Sequence, residues 1–223
     1  MIKEYFNSIS IKYDLVNSII SFGMDNKWRK KAINIAKIKE NNKCLDLCCG
    51  TGKISKLIKY PNIELYGIDI SENMISIAKK EIKNATFFLG DATKLPFNNE
   101  YFDVVITGWG LRNINNLEKA IDEIYRVLKN GGRFVSLDMG KPKNIFIKNL
   151  FWFYMKHIVP IIGKLFTNNY DSYKYFYESS KNFLSPEELI NIFVEKGFSN
   201  PQIYNLSFGA VSIIYLEKKH PQK

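Results

Sequence analysis

The chain is poor in cysteine and histidine. Of its 223 residues, three are Cys (Cys44, Cys48, Cys49) and two are His (His157, His220). Three thiols in one short apolar run build no disulfide framework, which points to a reducing cytoplasm. Two histidines add too few ligands for a metal site, so no metal is expected, and the thiols read as small buried strand residues. Arginine is scarce as well: Arg29, Arg112, Arg126 and Arg133 stand against 28 Lys. The opening MIKEYFNSIS has no apolar core of a secretory leader. No internal repeat and no Pro/Gly/Ser-rich linker divides the chain, so one domain over 1–223 is expected. The most apolar stretch, Ile145–Phe166, is interrupted by Lys148, Lys156, His157 and Lys164, and Pro160 is expected to break it. It reads as a poor membrane span.

What is present is an ordinary globular composition, 46% apolar and 24% charged, which excludes disorder and rod-like folds. Net charge is +10. Part of that reflects a general bias toward Lys, Asn and Ile; the remainder suits an anionic membrane surface or a nucleic acid.

The first forty residues read as a helical cap, two helices parted by SFGMD, with Gly23 as the stop and Asp25 as the next N-cap. From Lys43 the pattern becomes strand–helix alternation. Strands are expected at Cys44–Cys48, Ile63–Ile68, Thr86–Leu89, Phe102–Thr107 and Arg133–Met139. Helices follow, one capped by Ser71 and one over Leu117–Leu128 stopped by Gly131-Gly132. A helical insertion over 145–183 comes next, and then a helix starting at Ser185-Pro186-Glu187-Glu188. Gln202–Leu206 and Ala210–Glu217, joined by three residues, must pair antiparallel. The result is α/β: a doubly wound, Rossmann-like sheet of seven strands whose last hairpin runs antiparallel.

CLDLCCGTG carries the first chemical signal, a strand entering a Gly-rich turn and then a helix. Gly50 and Gly52 let backbone approach a ligand beyond the strand ends. A dinucleotide site is the competing reading, but its third glycine position holds Ser55. Asp69 ends the second strand, seventeen residues past Gly52, where a carboxylate can accept both hydroxyls of a ribose. Asp91 follows the third strand at the same sheet edge, near where an adenine would lie.

The run LDLCCGTG, GIDISENM, GDATKLPF, FDVVITGWGLRNI and RVLKNGGRFVSLD resembles class I S-adenosylmethionine-dependent methyltransferases. YDLVNSIISFGMDNKWR, GLRN and RVLKNGGRFVSLDMGKP narrow the resemblance to the ubiquinone/menaquinone-biosynthesis C-methyltransferases, from Tyr5 to Lys218. The chain departs from that pattern at Val16, Asp25, Gly108 and Asn130, and LDMGKP leans to the menaquinone branch.

The resemblance implies S-adenosylmethionine as cosubstrate, held by Gly50, Thr51, Gly52, Asp69, Asp91, Ala92 and Gly108. Asp46 would brace the turn and face the amino group. It implies methylation of a prenylated quinol carbon, demethylmenaquinol to menaquinol. Arg112 would stabilise the developing oxyanion and Asn113 would orient Arg112. An arginine stays protonated, so its role is electrostatic. Tyr13 and Trp109 offer aromatic faces to the sulfonium. Tyr13 and Asp14 would close over the cofactor. Tyr177 belongs to a polar–aromatic segment on the substrate side, and the 145–183 insertion offers an apolar groove or an interfacial helix for the lipid tail. Contact with the inner face of the cell membrane, from the cytoplasm, and a homodimer are further expectations. Three alternatives stay open: a ubiquinone-branch benzoquinol substrate, another small-molecule substrate, and a nucleic acid. Against the last, GWGLRN stands where amino-methylating enzymes carry an Asn/Asp-Pro-Pro-aromatic motif.

Overall fold

A computed structural model describes residues 2–220; the expected domain's outermost residues, Met1 and 221–223, lie outside it. Seven strands form one sheet: β1 Lys43–Leu47, β2 Glu64–Asp69, β3 Thr86–Leu89, β4 Phe102–Gly108, β5 Leu128–Met139, β6 Phe198–Leu206 and β7 Val211–Lys218, in the order β3-β2-β1-β4-β5-β7-β6. β1 to β5 pair in parallel and β7 lies antiparallel to both β5 and β6. The expected architecture is the one found. β5 begins five residues earlier than expected, directly where α6 (Leu117–Val127) ends, so Gly131-Gly132 lies inside the strand and does not stop the helix.

The helices cover the sheet because their apolar residues recur at helical spacing. In α6, Ala120, Ile121, Ile124 and Val127 are buried against one sheet face with Phe134, Leu128 and the β4 residue Val105. The opposite face packs Ile54 and Ile58 with Val104, Ile106, Val135 and Leu137. Ser71 caps α5 (Glu72–Glu81) by accepting the Met74 N–H, and Ser185 with Glu188 forms a reciprocal capping box on α10 (Pro186–Glu195).

Two local expectations are corrected. The N-terminal cap holds three helices: α1 Ile2–Ile9, α2 Tyr13–Ile20 and α3 Asp25–Ile35. Asp25 is the first residue of α3, after the cap Met24, and its carboxylate is spent on a buried ion pair with Arg29 one turn on. Pro160 does not break the insertion. α7 (Ile145–Phe153), a π segment (Tyr154–Ile158) and α8 (Val159–Thr167) make one continuous helix of 23 residues, the wider turns falling just before the residue that has no N–H to give. α9 (Tyr170–Asn182) packs back on it, so closely that a Cβ on Gly163 would sit 2.1 Å from the Tyr173 ring.

Candidate active site

The sheet order reverses between β1 and β4, and ligands of such sheets bind beyond the strand ends at that point. A cavity of about 230 Å³ lies there. It is lined by Gly50 after β1, Asp69 and Ile70 at the end of β2, Asp91, Ala92 and Thr93 after β3, and Gly108, Trp109, Gly110 and Asn113 at and beyond the end of β4. Phe6 and Tyr13 close it from the N-terminal helices and Met74 from α5.

Asp69 is held by two backbone donors. Gly50 N–H donates to Oδ2 at 2.8 Å and Ser71 N–H to Oδ1 at 2.9 Å. A carboxylate oxygen has two acceptor directions, so each keeps one for a vicinal diol. Burial pushes this carboxyl upward, and the backbone donors partly offset the shift. A Cβ built on Gly50 would meet open space, so the backbone there is bare toward the cavity. Ile70, Met74 and Ala92 supply apolar wall for a flat base. These residues fit a nucleoside with a free ribose diol.

Other expected cofactor residues take different places. Gly52 faces the interior: an added Cβ would lie 2.4 Å from Ile82 Cδ1, the movable tip of that side chain, and φ is +79°, so the backbone is what demands glycine. Thr51 Oγ1 donates to both oxygens of Asp14, at 2.9 and 3.1 Å, which pins α2 onto the Gly-rich turn. Lys53 Nζ adds an ion pair to Asp14 at 3.4 Å. Asp46 is 1% exposed and receives Ser55 N–H at 3.0 Å and Ser55 Oγ–H at 2.7 Å, bracing the turn from beneath. Burial lifts its carboxyl to about 7. Asp46, Thr51 and Gly52 therefore shape the turn, while Gly50, Asp69, Asp91, Ala92 and Gly108 face the cavity. Asp91 Oδ1 accepts the Thr93 N–H at 2.8 Å.

A second cavity of about 260 Å³ adjoins the first, and Tyr13 and Trp109 line both. Its walls are apolar: Ile20, Met24, Trp28, Met139, Phe151, Met155 and Phe176. Trp109 has φ +57°, and the Arg29 guanidinium sits 4.8 Å over its ring, fixed from behind by Asp25. Gly110 is required beside it, since a Cβ there would lie 2.5 Å from Cys48 Cβ.

Arg112 lines this second cavity. Its Nη1 donates to Asp138 Oδ1 at 2.6 Å, the two side chains being 3% and 6% exposed, and Phe176 lies 4.9 Å from its Cζ. Asn113 is occupied differently from the expectation. Its amide donates to Trp109 O at 3.1 Å and accepts from Tyr175 OH at 3.0 Å, so it fixes the loop after β4, and the carboxylate of Asp138 orients Arg112. Sequence reasoning missed that partner, although a carboxylate ending the strand next to β4 was the available signal. Tyr177 lines neither cavity. It lies one turn from Tyr173 on the face of α9 that packs on Trp152, and Lys181 Nζ donates to its hydroxyl at 3.1 Å. Phe176 on the neighbouring face of α9 reaches the second cavity instead.

This sheet and this strand-end cleft are those of the class I S-adenosylmethionine-dependent methyltransferase fold. Solved structures agree on the fold. One is a Thermotoga maritima methyltransferase described as a possible histamine N-methyltransferase, with TM-score 0.71, 21% identity, and 98% of this chain and 100% of that one covered. A second, from Methanococcus maripaludis, has TM-score 0.67 at 20% identity, covering 98% and 95%. The chain belongs to the ubiE/COQ5 methyltransferase family, whose model matches residues 1–218. Among its relatives, the demethylmenaquinone methyltransferase of Desulfitobacterium hafniense is 38% identical over 222 residues, covering 96% of this chain and 88% of that one. That of Thermotoga maritima is 39% identical over 196 residues, covering 86% of each.

Proposed function

We propose that the protein transfers a methyl group from S-adenosylmethionine to a ring carbon of a prenylated naphthoquinol, converting demethylmenaquinol to menaquinol. The observation that carries this reading is the pair of adjoining cavities sharing Tyr13 and Trp109: one that sets Asp69, Asp91 and bare backbone among apolar walls, suited to a nucleoside, and an apolar one overlooked by a buried arginine. The family and the relatives named for this activity support the substrate class. Bound S-adenosylmethionine supplies the electrophilic methyl. The chain aligns the two reactants, keeps water out and favours the quinol oxyanion. In-line holding alone accounts for a large part of such a rate gain. Arg112 cannot act as a base because it keeps its proton, so it stabilises the oxygen that becomes negative as the ring carbon attacks. Nη1 belongs to Asp138, which leaves Nε and Nη2 for that oxygen; Nε is buried and has no protein partner.

On this reading the enzyme meets its lipid-soluble substrate at the inner face of the cell membrane, working from the cytoplasm. The reading is tested by offering labelled S-adenosylmethionine with a demethylated naphthoquinol, a methoxy-benzoquinol and RNA in parallel. Label is expected on the naphthoquinol, and lost in Arg112→Ala while cofactor binding persists. Label on the benzoquinol alone would overturn the naphthoquinol assignment, and label on RNA alone would overturn both quinols.

A further inference from the structure

The 23-residue helix formed by α7, the π segment and α8 is only partly used by the fold. Met155, Val159 and Gly163 are buried, whereas Phe146, Leu150, Phe153, Ile161 and Leu165 are exposed along a stripe at spacings of three and four, with a step of eight across the π segment. Phe146 is 82% and Leu165 77% exposed. Two turns extend the patch. Phe22 is 80% exposed and lies beside the helix, 5.7 Å from the Tyr154 ring. Phe208 is 84% exposed and sits near Lys143 and Asn144 at the helix start. Both have positive φ, +53° and +56°, a conformation that costs a bulky residue about 1–2 kcal/mol. Both rings are thus held largely in water at a backbone cost. Phe22 and Ser207, the neighbour of Phe208, also line the second cavity, so the patch borders that cavity.

Charge selects the occupant. From Met139 to Tyr170 the chain has five Lys and no Asp or Glu, and Lys148, Lys156 and Lys164 are exposed along the helix. We propose that this helix, with the Phe22 and Phe208 turns, docks on an anionic lipid bilayer and brings the second cavity to the lipid. Apolar residues enter the acyl boundary while the lysines meet acidic headgroups. The helix lies on the surface and does not span, because Gly163 packed on Tyr173 ties it to α9. A second copy is a poorer occupant, since stripe against stripe would bring two basic surfaces together.

This inference rests on the quinol reading only for its purpose, and its test separates the two. Co-sedimentation with vesicles of phosphatidylcholine alone, and with added phosphatidylglycerol, reads docking. Turnover of a short-chain, water-soluble demethylated naphthoquinol reads the active site. The intact chain is expected to bind the anionic vesicles about tenfold more than the neutral ones. Phe146→Ser/Leu150→Ser/Leu165→Ser and, separately, Phe208→Ser are expected to lower that binding about tenfold for the triple variant and less for the single, with short-chain turnover unchanged. Lys148→Glu/Lys156→Glu/Lys164→Glu is expected to abolish the preference for anionic vesicles. Vesicle binding that none of these variants weakens would overturn the proposal, as would a dimer that the triple apolar variant dissociates. Docking as expected without short-chain turnover would sink the quinol reading alone.

Discussion

Arg112 and Asp138 meet 2.6 Å apart at the ends of neighbouring structural segments, the loop after β4 and the last residues of strand β5, both buried. Burial pushes the Asp138 carboxyl up and Arg112 pulls it back. One oxygen of Asp138 and Nε of Arg112 have no protein partner, so the pair is built for more than cohesion. Hydrophobic residues of similar volume would pack there at no loss of stability.

Asp138→Asn is therefore expected to leave a buried, uncompensated guanidinium and to cost about 3 kcal/mol. Arg112→Met/Asp138→Leu is expected to regain the stability and not the activity. Thermal unfolding and methyl transfer on the same samples check both. A double variant that regains turnover would show that the pair serves folding only.

Gly50 and Gly52 are expected to separate by phenotype. Gly52→Ala adds, to the strain of a residue at φ +79°, a contact that makes the tip of Ile82 shift, and should lower the melting temperature more than Gly50→Ala does. Gly50→Ala meets open space, so its stability cost is the backbone alone, about 1–2 kcal/mol. Its methyl enters the first cavity, and binding of S-adenosylhomocysteine by calorimetry should weaken about tenfold or more. Equal binding loss in both variants would contradict the division.

Much of this was legible in the sequence. Strand–helix alternation and the short link before β7 fixed the sheet, because buried parallel strands and a three-residue connection leave few topologies. That Asp69, Asp91, Ala92 and Gly50 share one cavity is legible because they stand at or just past strand ends. That the Cβ direction of Gly52 points inward is not legible, because a glycine spared for packing looks the same in sequence as one spared for a ligand; only Ile82 distinguishes them. Tyr177 was misplaced because helix phase decides whether Tyr177 or Phe176 turns toward the cavity, and composition cannot set that phase. Pro160 reads as a break in the sequence because a π segment has no sequence signature.

Asp69→Asn is expected to harm binding more than its isosteric shape suggests. Both carboxylate oxygens accept backbone N–H groups, so an amide must turn a donor onto a donor. S-adenosylhomocysteine affinity should fall about a hundredfold, the worth of charge-assisted hydrogen bonds lost at this site. Because burial raises this carboxyl, the intact protein's affinity should weaken on acidification sooner than an ordinary carboxylate would make it do.

Asp46 gives a stability test with a defined sign. Its folded pKa, about 7, stands above the ordinary 3.8, so the native state holds a proton that the unfolded chain gives up. The associated stability is fully present below 3.8 and is lost as pH rises to about 7, then stays flat. Asp46→Asn has no charge to desolvate. Both Ser55 donors meet one carboxylate oxygen, Oδ2, and the amide oxygen in that place still accepts the Ser55 N–H and the Ser55 Oγ–H. The variant should therefore gain on the parent as pH rises through that window, by about 1 kcal/mol or more at the alkaline end. Thermal unfolding of both proteins across the window measures the difference directly. A gap that stays constant with pH would mean that Asp46 is ionised in the folded protein throughout, with the two Ser55 donors outweighing its burial.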